Sequence, residues 1–250
     1  MRHFITLLRH ELRMLIIAPS TYIAAILFLI LMGFIYWAII RNMALSPQEL
    51  TATNQFYSLF WLPVFFTVPM LTMRSIAPEK NQSTLETLFS TPAPKSAIVL
   101  SKFFAAYILY ASLWLATLYF PYISVKVLPT TISNYNLLDG ASLAGSITFI
   151  GLSGLLFISI GIFTSSLTRS QLIAGMLCFT FLFILCAGAQ QLEYATFNYL
   201  EPGDFAYETI QYINVFQHYH DFSLGIIDSR PFIFYVSTSL VLLGFTANLI

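Results

Sequence analysis

Six long apolar stretches restrict what this chain of 250 residues can fold into. A helix crosses the hydrocarbon core of a bilayer when about 17–25 consecutive residues are predominantly apolar. The stretches of that length are residues 22–40, 56–73, 103–125, 141–164, 172–189 and 231–250. Only 9% of the residues are charged, whereas soluble domains have about 25%. We therefore predict an all-α, polytopic membrane protein with six transmembrane helices.

The orientation of the chain is predicted from the basic residues of its short loops, because lysine and arginine are enriched on the cytoplasmic side. If both termini are cytoplasmic, three of the 11 basic residues lie outside, namely Arg41, Lys126 and Arg230. The remainder lie inside and are Arg2, Arg9, Arg13, Arg74, Lys80, Lys95, Lys102 and Arg169. The sequence thus predicts a multi-pass protein of the cell inner (plasma) membrane, with a cytoplasmic segment at 74–102 and an extracytoplasmic loop at 190–230.

Residues 1–18 have the pattern of a separate amphipathic helix. Its apolar residues recur at spacings of four, four and three, and are Phe4, Leu8, Leu12 and Leu15. Its basic residues occupy another face and are Arg2, Arg9 and Arg13. This pattern is typical of a helix that lies in the membrane interface, so we predict an interfacial elbow helix. The alternative is that these residues simply continue the first span.

The stretch EKNQSTLETLFSTPAP, residues 79–94, is a polar segment between two apolar ones. Ser83-Thr84-Leu85-Glu86 fits a capping box, and Leu85, Leu88 and Phe89 then share one face of a helix. The residue before Pro92 avoids the α region, so the helix is expected to end there. The apolar face could be a docking surface, or it could lie on the membrane surface as part of a connector.

A resemblance to a known family bears on this choice. The stretch RSIAPEKNQSTLETLFSTP at 74–92, followed by IVLSKF at 98–103, resembles the ABC-2 type transporter permeases. It is most similar to the branch that includes gliding-motility-type permeases, as is FSLGIIDSR at 222–230. The shared features are an Arg, an Ala-x-Glu-Lys, a Ser-Thr-Leu-Glu-x-Leu, a turn bounded by proline, and a Lys before the next span.

The resemblance implies a single ABC-2 type transmembrane domain over residues 1–250. This domain would act as the permease subunit of an ATP-driven transporter, and the resemblance implies that the transporter is an exporter. Its cytoplasmic segment would contain a coupling helix that docks on a separate ATP-binding subunit. The residues that would carry this role are Glu79, Lys80, Thr84, Leu85, Glu86, Leu88 and Phe89. The implied partners are two ATP-binding subunits, a second permease chain that is identical or homologous, and membrane lipid.

ATP chemistry is not expected in this chain, because no G-x-x-x-x-G-K-[ST] phosphate loop occurs in it. ATP and Mg²⁺ would be bound by the partner subunit, so we predict no catalytic residue, metal or cofactor here. A net charge of zero gives no support to a nucleic-acid partner.

Two other functions remain open. The chain could anchor a complex and transmit force without moving a solute. It could also be a membrane-embedded metal enzyme built on Gln217-His218-Tyr219-His220-Asp221, with Glu208 or Asp204 as a further ligand. The aromatic loop at 190–230 could bind an extracytoplasmic partner.

Overall fold

The computed structural model describes residues 2–45, 51–83, 94–127, 139–192, 209, 212–226 and 228–250. Within these ranges the chain is almost entirely helical and contains no strand. Its principal helices are α1 (Arg2–Ile17), α2 (Pro19–Leu45), α3 (Ala52–Ser58), α4 (Trp61–Thr72), α5 (Ala77–Asn81), α6 (Lys95–Thr117), α7 (Tyr119–Val127), α8 (Gly140–Leu167), α9 (Gln171–Phe183), α10 (Val215–Ser223) and α11 (Ser229–Leu249). A π-helical turn, Ile184–Gly188, continues α9.

The described residues contain five helical segments that are long and apolar enough to cross a membrane. They are Pro19–Met43, Lys95–Lys126, Gly140–Leu167, Gln171–Leu192 and Ser229–Leu249. A sixth is present if Ala52–Ser58 and Trp61–Asn81, which are bent by 46° relative to each other, form one broken span. The predicted class, an all-α polytopic membrane protein, is confirmed.

The break between α3 and α4 has a cause in the sequence. Proline has no backbone N–H, so Pro63 cannot donate to the carbonyl of Leu59, four residues earlier. The helical hydrogen-bond pattern is therefore interrupted where the two helices meet. At the other end of α3, the side chain of Thr51 accepts a hydrogen bond from the backbone N–H of Asn54 at 3.3 Å.

Several helices begin after a side chain that accepts hydrogen bonds from the first turn, as good N-caps do. Asp139 caps α8, Asn214 caps α10 and Asp228 caps α11. The N-cap of α6 is Pro94, with the extended dihedrals φ −66° and ψ 145°. The helix α6 therefore begins at Lys95, eight residues before the apolar stretch 103–125 from which the third span is predicted.

The centre of the bundle is α8, which packs against α4, α6, α9, α10 and α11. Two of its glycines allow close approach of neighbouring elements. A Cβ on Gly145 would lie 1.9 Å from the carbonyl oxygen of Phe222, and one on Gly161 would lie 2.2 Å from Thr72 Oγ1. Small residues of α8 thus serve packing within the chain.

Candidate functional site

The short helix α5 follows α4 and leads into the polar segment singled out above. Two backbone N–H groups at its start, those of Ile76 and Ala77, both donate to Ser165 Oγ at 3.1 Å. Lys80 Nζ donates to the carbonyl oxygen of Ser166 at 2.7 Å. Ser165 and Ser166 lie in the last turn of α8, so α5 is attached to the end of the central helix.

A buried lysine joins α5 to two further helices. Lys102 Nζ on α6 lies 2.8 Å from Glu11 Oε1 on α1 and 2.5 Å from Glu79 Oε1 on α5. The Lys102 side chain is only 2% exposed, and the two carboxylates are largely buried. A charge in such a place is tolerated when it is paired and hydrogen-bonded. We call Glu11, Glu79 and Lys102 the ionic triad.

The helix α1 corresponds to the predicted elbow and packs along α6. Phe4 meets Phe104 edge to face, with ring centroids 6.1 Å apart. Glu11 lies on the same packed side as the apolar residues, whereas Arg9 and Arg13 are exposed. The side chain of Arg2 lies outside the described residues.

The sequence reasoning did not assign a role to Glu11 or Lys102. A signal was available, because Glu11 falls on the same helical stripe as Phe4, Leu8 and Leu15. An acidic residue on an apolar stripe needs a cation nearby. Which cation it meets could not be read from the sequence, since Lys102 is 91 residues away.

The predicted coupling residues divide into two groups. The side chains of Glu79 and Lys80 are bound within the chain, to Lys102 and to the carbonyl of Ser166. The residues that lie outside the described ranges are Thr84, Leu85, Glu86, Leu88 and Phe89. The short helix predicted over them, and its docking face, therefore remain predictions.

The backbone of Ser83 differs from what a capping box requires. Its φ is 55°, in the left-handed region, whereas an N-cap residue normally has extended dihedrals. Ser83 follows Gln82, the C-cap of α5, and so occupies the position where helices often end with a left-handed residue. Ser83 therefore ends α5 and lacks the dihedrals of an N-cap for a following helix.

The candidate metal ligands lie on the helix α10. His218 is buried, and its Nδ1 lies 3.1 Å from Tyr235 Oη, while His220 is exposed on another side of the helix. Among the described residues no group of three His, Cys, Asp or Glu side chains could hold a metal ion. Glu208 and Asp204 lie outside those residues.

Burial also changes the acid–base behaviour of this helix, which lies between the membrane-spanning segments. Desolvation lowers the pKa of His218, and the carboxylates of Asp221 and Asp228 partly offset that effect. Burial likewise raises the pKa of Tyr219, partly offset by its hydrogen bond with Ser146. Burial thus favours the neutral form of His218, as it does for a packed core residue.

Comparison with known protein families matches residues 5–247 to a family model described as ABC-2 family transporter protein. The match covers nearly the whole chain, including most of α1, the ionic triad and all but the last two residues of the membrane-spanning segments. Comparison with curated proteins finds no match.

Proposed function

Since the chain belongs to the ABC-2 family of transporter proteins and is a permease component of an ABC transporter, we propose that it is the permease subunit of an exporter driven by separate ATP-binding subunits. Members of this family typically pair with such subunits. To the membership of this family the proposal adds three points, namely the direction of transport, the residues that dock on the ATP-binding subunit, and the number of subunits in the assembly. Membership of the gliding-motility branch stays a prediction.

The observation that carries the proposal is the attachment of α5. The segment proposed to dock, residues 84–90, follows directly after this helix. Because α5 is bonded to the end of α8 and to Lys102 on α6, a displacement of the docked segment would be passed to both helices. Packed helices respond to such a displacement by rigid-body movement. Glu79 and Lys80 would then act by holding α5 in place.

We propose that both termini and residues 74–102 are cytoplasmic, in the plasma membrane. The distribution of charge supports this orientation. The end of the bundle that carries α5 also carries Arg74, Lys80 and Lys102 together with the basic face of α1. An excess of lysine and arginine marks the cytoplasmic side of a membrane protein.

The assembly we propose contains two copies of this chain, or this chain and a homologous one, with two ATP-binding subunits. Up to six spans in one chain correspond to half of a transporter. ATP and Mg²⁺ would bind to the ATP-binding subunits, which carry the hydrolysis. Membrane lipid would surround the exposed apolar faces, and an extracytoplasmic partner would bind the loop at 190–230.

Co-purification of the full chain from membranes tests this proposal. We expect an ATP-binding protein in the preparation, and subunit masses that give a two-plus-two assembly. The complex in sealed vesicles should then move a solute only when ATP is present. If ATP-binding subunits co-purify but no ATP-dependent flux is measured, the result would favour a chain that anchors the complex and transmits force. The complete absence of ATP-binding subunits from a complex purified in a mild detergent would contradict the proposal.

A further inference from the structure

A cavity of about 280 Å³ lies beside the ionic triad, between α1, the start of α2, the end of α4 and α5. The larger apolar side chains of its lining are those of Met14, Leu15, Met70 and Leu71. Its charged and titratable lining is formed by His10, Glu11, Arg74, Glu79 and Lys102. The cavity is therefore amphipathic, and it lies where the amphipathic helix α1 meets the ends of the membrane-spanning helices.

The cavity is lined by charged groups of both signs. The ionic triad contributes two carboxylates and one ammonium group to the lining. Arg74 contributes one positive charge on the same wall, its side chain is exposed, and within the described part of the chain it makes no hydrogen bond or ion pair. The lining thus offers carboxylates for a cationic group and an exposed guanidinium for an anionic one.

We propose that this cavity binds a zwitterionic phospholipid whose headgroup carries a primary ammonium group and a phosphate. The ammonium group has three N–H donors, which suit the carboxylates of Glu11 and Glu79. The guanidinium of Arg74 suits the phosphate. The four apolar side chains contact the part of the lipid that joins the headgroup to its acyl chains.

The size of the cavity agrees with a headgroup. Sites for whole small molecules measure about 300–1,000 Å³, and this cavity, at about 280 Å³, lies just below that range. A headgroup fits inside, and the acyl chains remain in the bilayer. A choline headgroup has no N–H donor for the carboxylates, and a headgroup with only a negative charge has no ammonium group to meet them.

The experiment uses the full chain, purified in detergent and stripped of lipid. It is titrated with phosphatidylethanolamine, phosphatidylcholine or phosphatidylglycerol of identical acyl chains, and bound lipid is counted by native mass spectrometry. We expect saturable binding of phosphatidylethanolamine, about tenfold or more tighter than that of the other two lipids, because charge-assisted hydrogen bonds are lost with either of them. No ATP-binding subunit is needed, so the result is independent of the proposed transport function.

Three variants locate the site. Arg74→Gln removes the phosphate ligand and should weaken phosphatidylethanolamine binding about tenfold or more. Ser20→Phe adds a ring to the cavity wall and should abolish the binding. Arg169→Gln removes another exposed arginine, which does not line the cavity, and should leave the binding unchanged. Melting temperatures verify that each variant is folded.

Equal affinity for phosphatidylethanolamine and phosphatidylcholine would overturn the proposed recognition of the ammonium group. Tighter binding of phosphatidylglycerol would overturn the zwitterionic assignment. Unchanged phosphatidylethanolamine binding in folded Arg74→Gln and Ser20→Phe chains would show that the lipid binds elsewhere.

Discussion

Lys102 on α6 reaches Glu11 on α1, with 2.8 Å between Lys102 Nζ and Glu11 Oε1, in a place where the lysine side chain is almost completely buried. Replacing Lys102 with methionine keeps the length of the side chain but leaves two carboxylates without their shared cation. We expect the free energy of unfolding to fall by about 3–5 kcal/mol, as it does when one partner of a buried ion pair is removed. Chemical unfolding in detergent micelles measures this change.

A second lysine of the same membrane-spanning segment provides the control. Lys126 is exposed and donates to Tyr122 Oη, so Lys126→Met should change the stability little. Adding Glu11→Gln to Lys102→Met removes one of the two carboxylates that faced the lysine and should recover part of the loss. Equal stability of Lys102→Met and the unmodified chain would show that the triad does not hold α1 and α5 to α6.

Charge reversal at Glu86 tests the proposed docking of the segment that follows α5. Reversing a charge that faces a partner costs several kcal/mol, so Glu86→Lys should reduce ATP-dependent transport about tenfold or more. The measurement compares flux into vesicles and ATP hydrolysis by the same complex. The control is Gln191→Lys, which adds a lysine on the predicted extracytoplasmic side of the membrane. A Glu86→Lys complex with normal assembly, hydrolysis and flux would count against docking through this residue.

Gly161→Ala tests the close packing of α8 on α4. The added Cβ would lie 2.2 Å from Thr72 Oγ1, so one of the two helices must shift. Overpacking of this kind costs about 1–3 kcal/mol of unfolding free energy. The control is Gly244→Ala on α11, where a Cβ would have no neighbour within 4 Å. If the two variants are equally stable, α8 and α4 do not approach each other as described.

The pH dependence of stability should show the burial of His218. Its pKa is lowered in the folded state, so the unfolded state binds more protons once the pH falls below about 6.5. The free energy of unfolding should therefore decrease from about pH 6.5 downward, by at most about 1.4 kcal/mol per pH unit, and this contribution should be constant above that pH.

Unfolding in detergent between pH 5 and pH 7.5 measures this slope. His218→Gln should make it shallower, and His220→Gln, at an exposed position on the same helix, should leave it as it was. Equal slopes in the two variants would mean that some other group is responsible.

The fold class could be predicted from the sequence because the length of an apolar stretch needed to cross a bilayer is set by the bilayer itself. The boundaries were harder to predict where a charged residue lies inside a helix. The third predicted span stops short of Lys102 because an isolated charge is costly in a membrane. In the folded chain Glu11 and Glu79 pair with that charge, and α6 continues back to Lys95.

At the candidate site, the structure of local motifs also could not be predicted from the sequence alone. Ser83 fits the start of a capped helix by its neighbours in sequence, but in the folded chain it follows the end of α5 with a left-handed backbone. His218 and His220 are two residues apart and would share one face only in a strand, yet they lie on a helix and point in different directions. Spacing along the chain indicates the chemistry available, and packing decides which residues meet.

The contacts of Gly161 and Ser165 have an evolutionary consequence. These residues are one helical turn apart on α8, and each meets a different part of the connection from α4 to α5. A single inserted or deleted residue between them would rotate one contact by about 100° relative to the other. Chains that have diverged from this one should therefore conserve the length of this interval, and the distance from Thr72 to Ala77, more strictly than the residues within them.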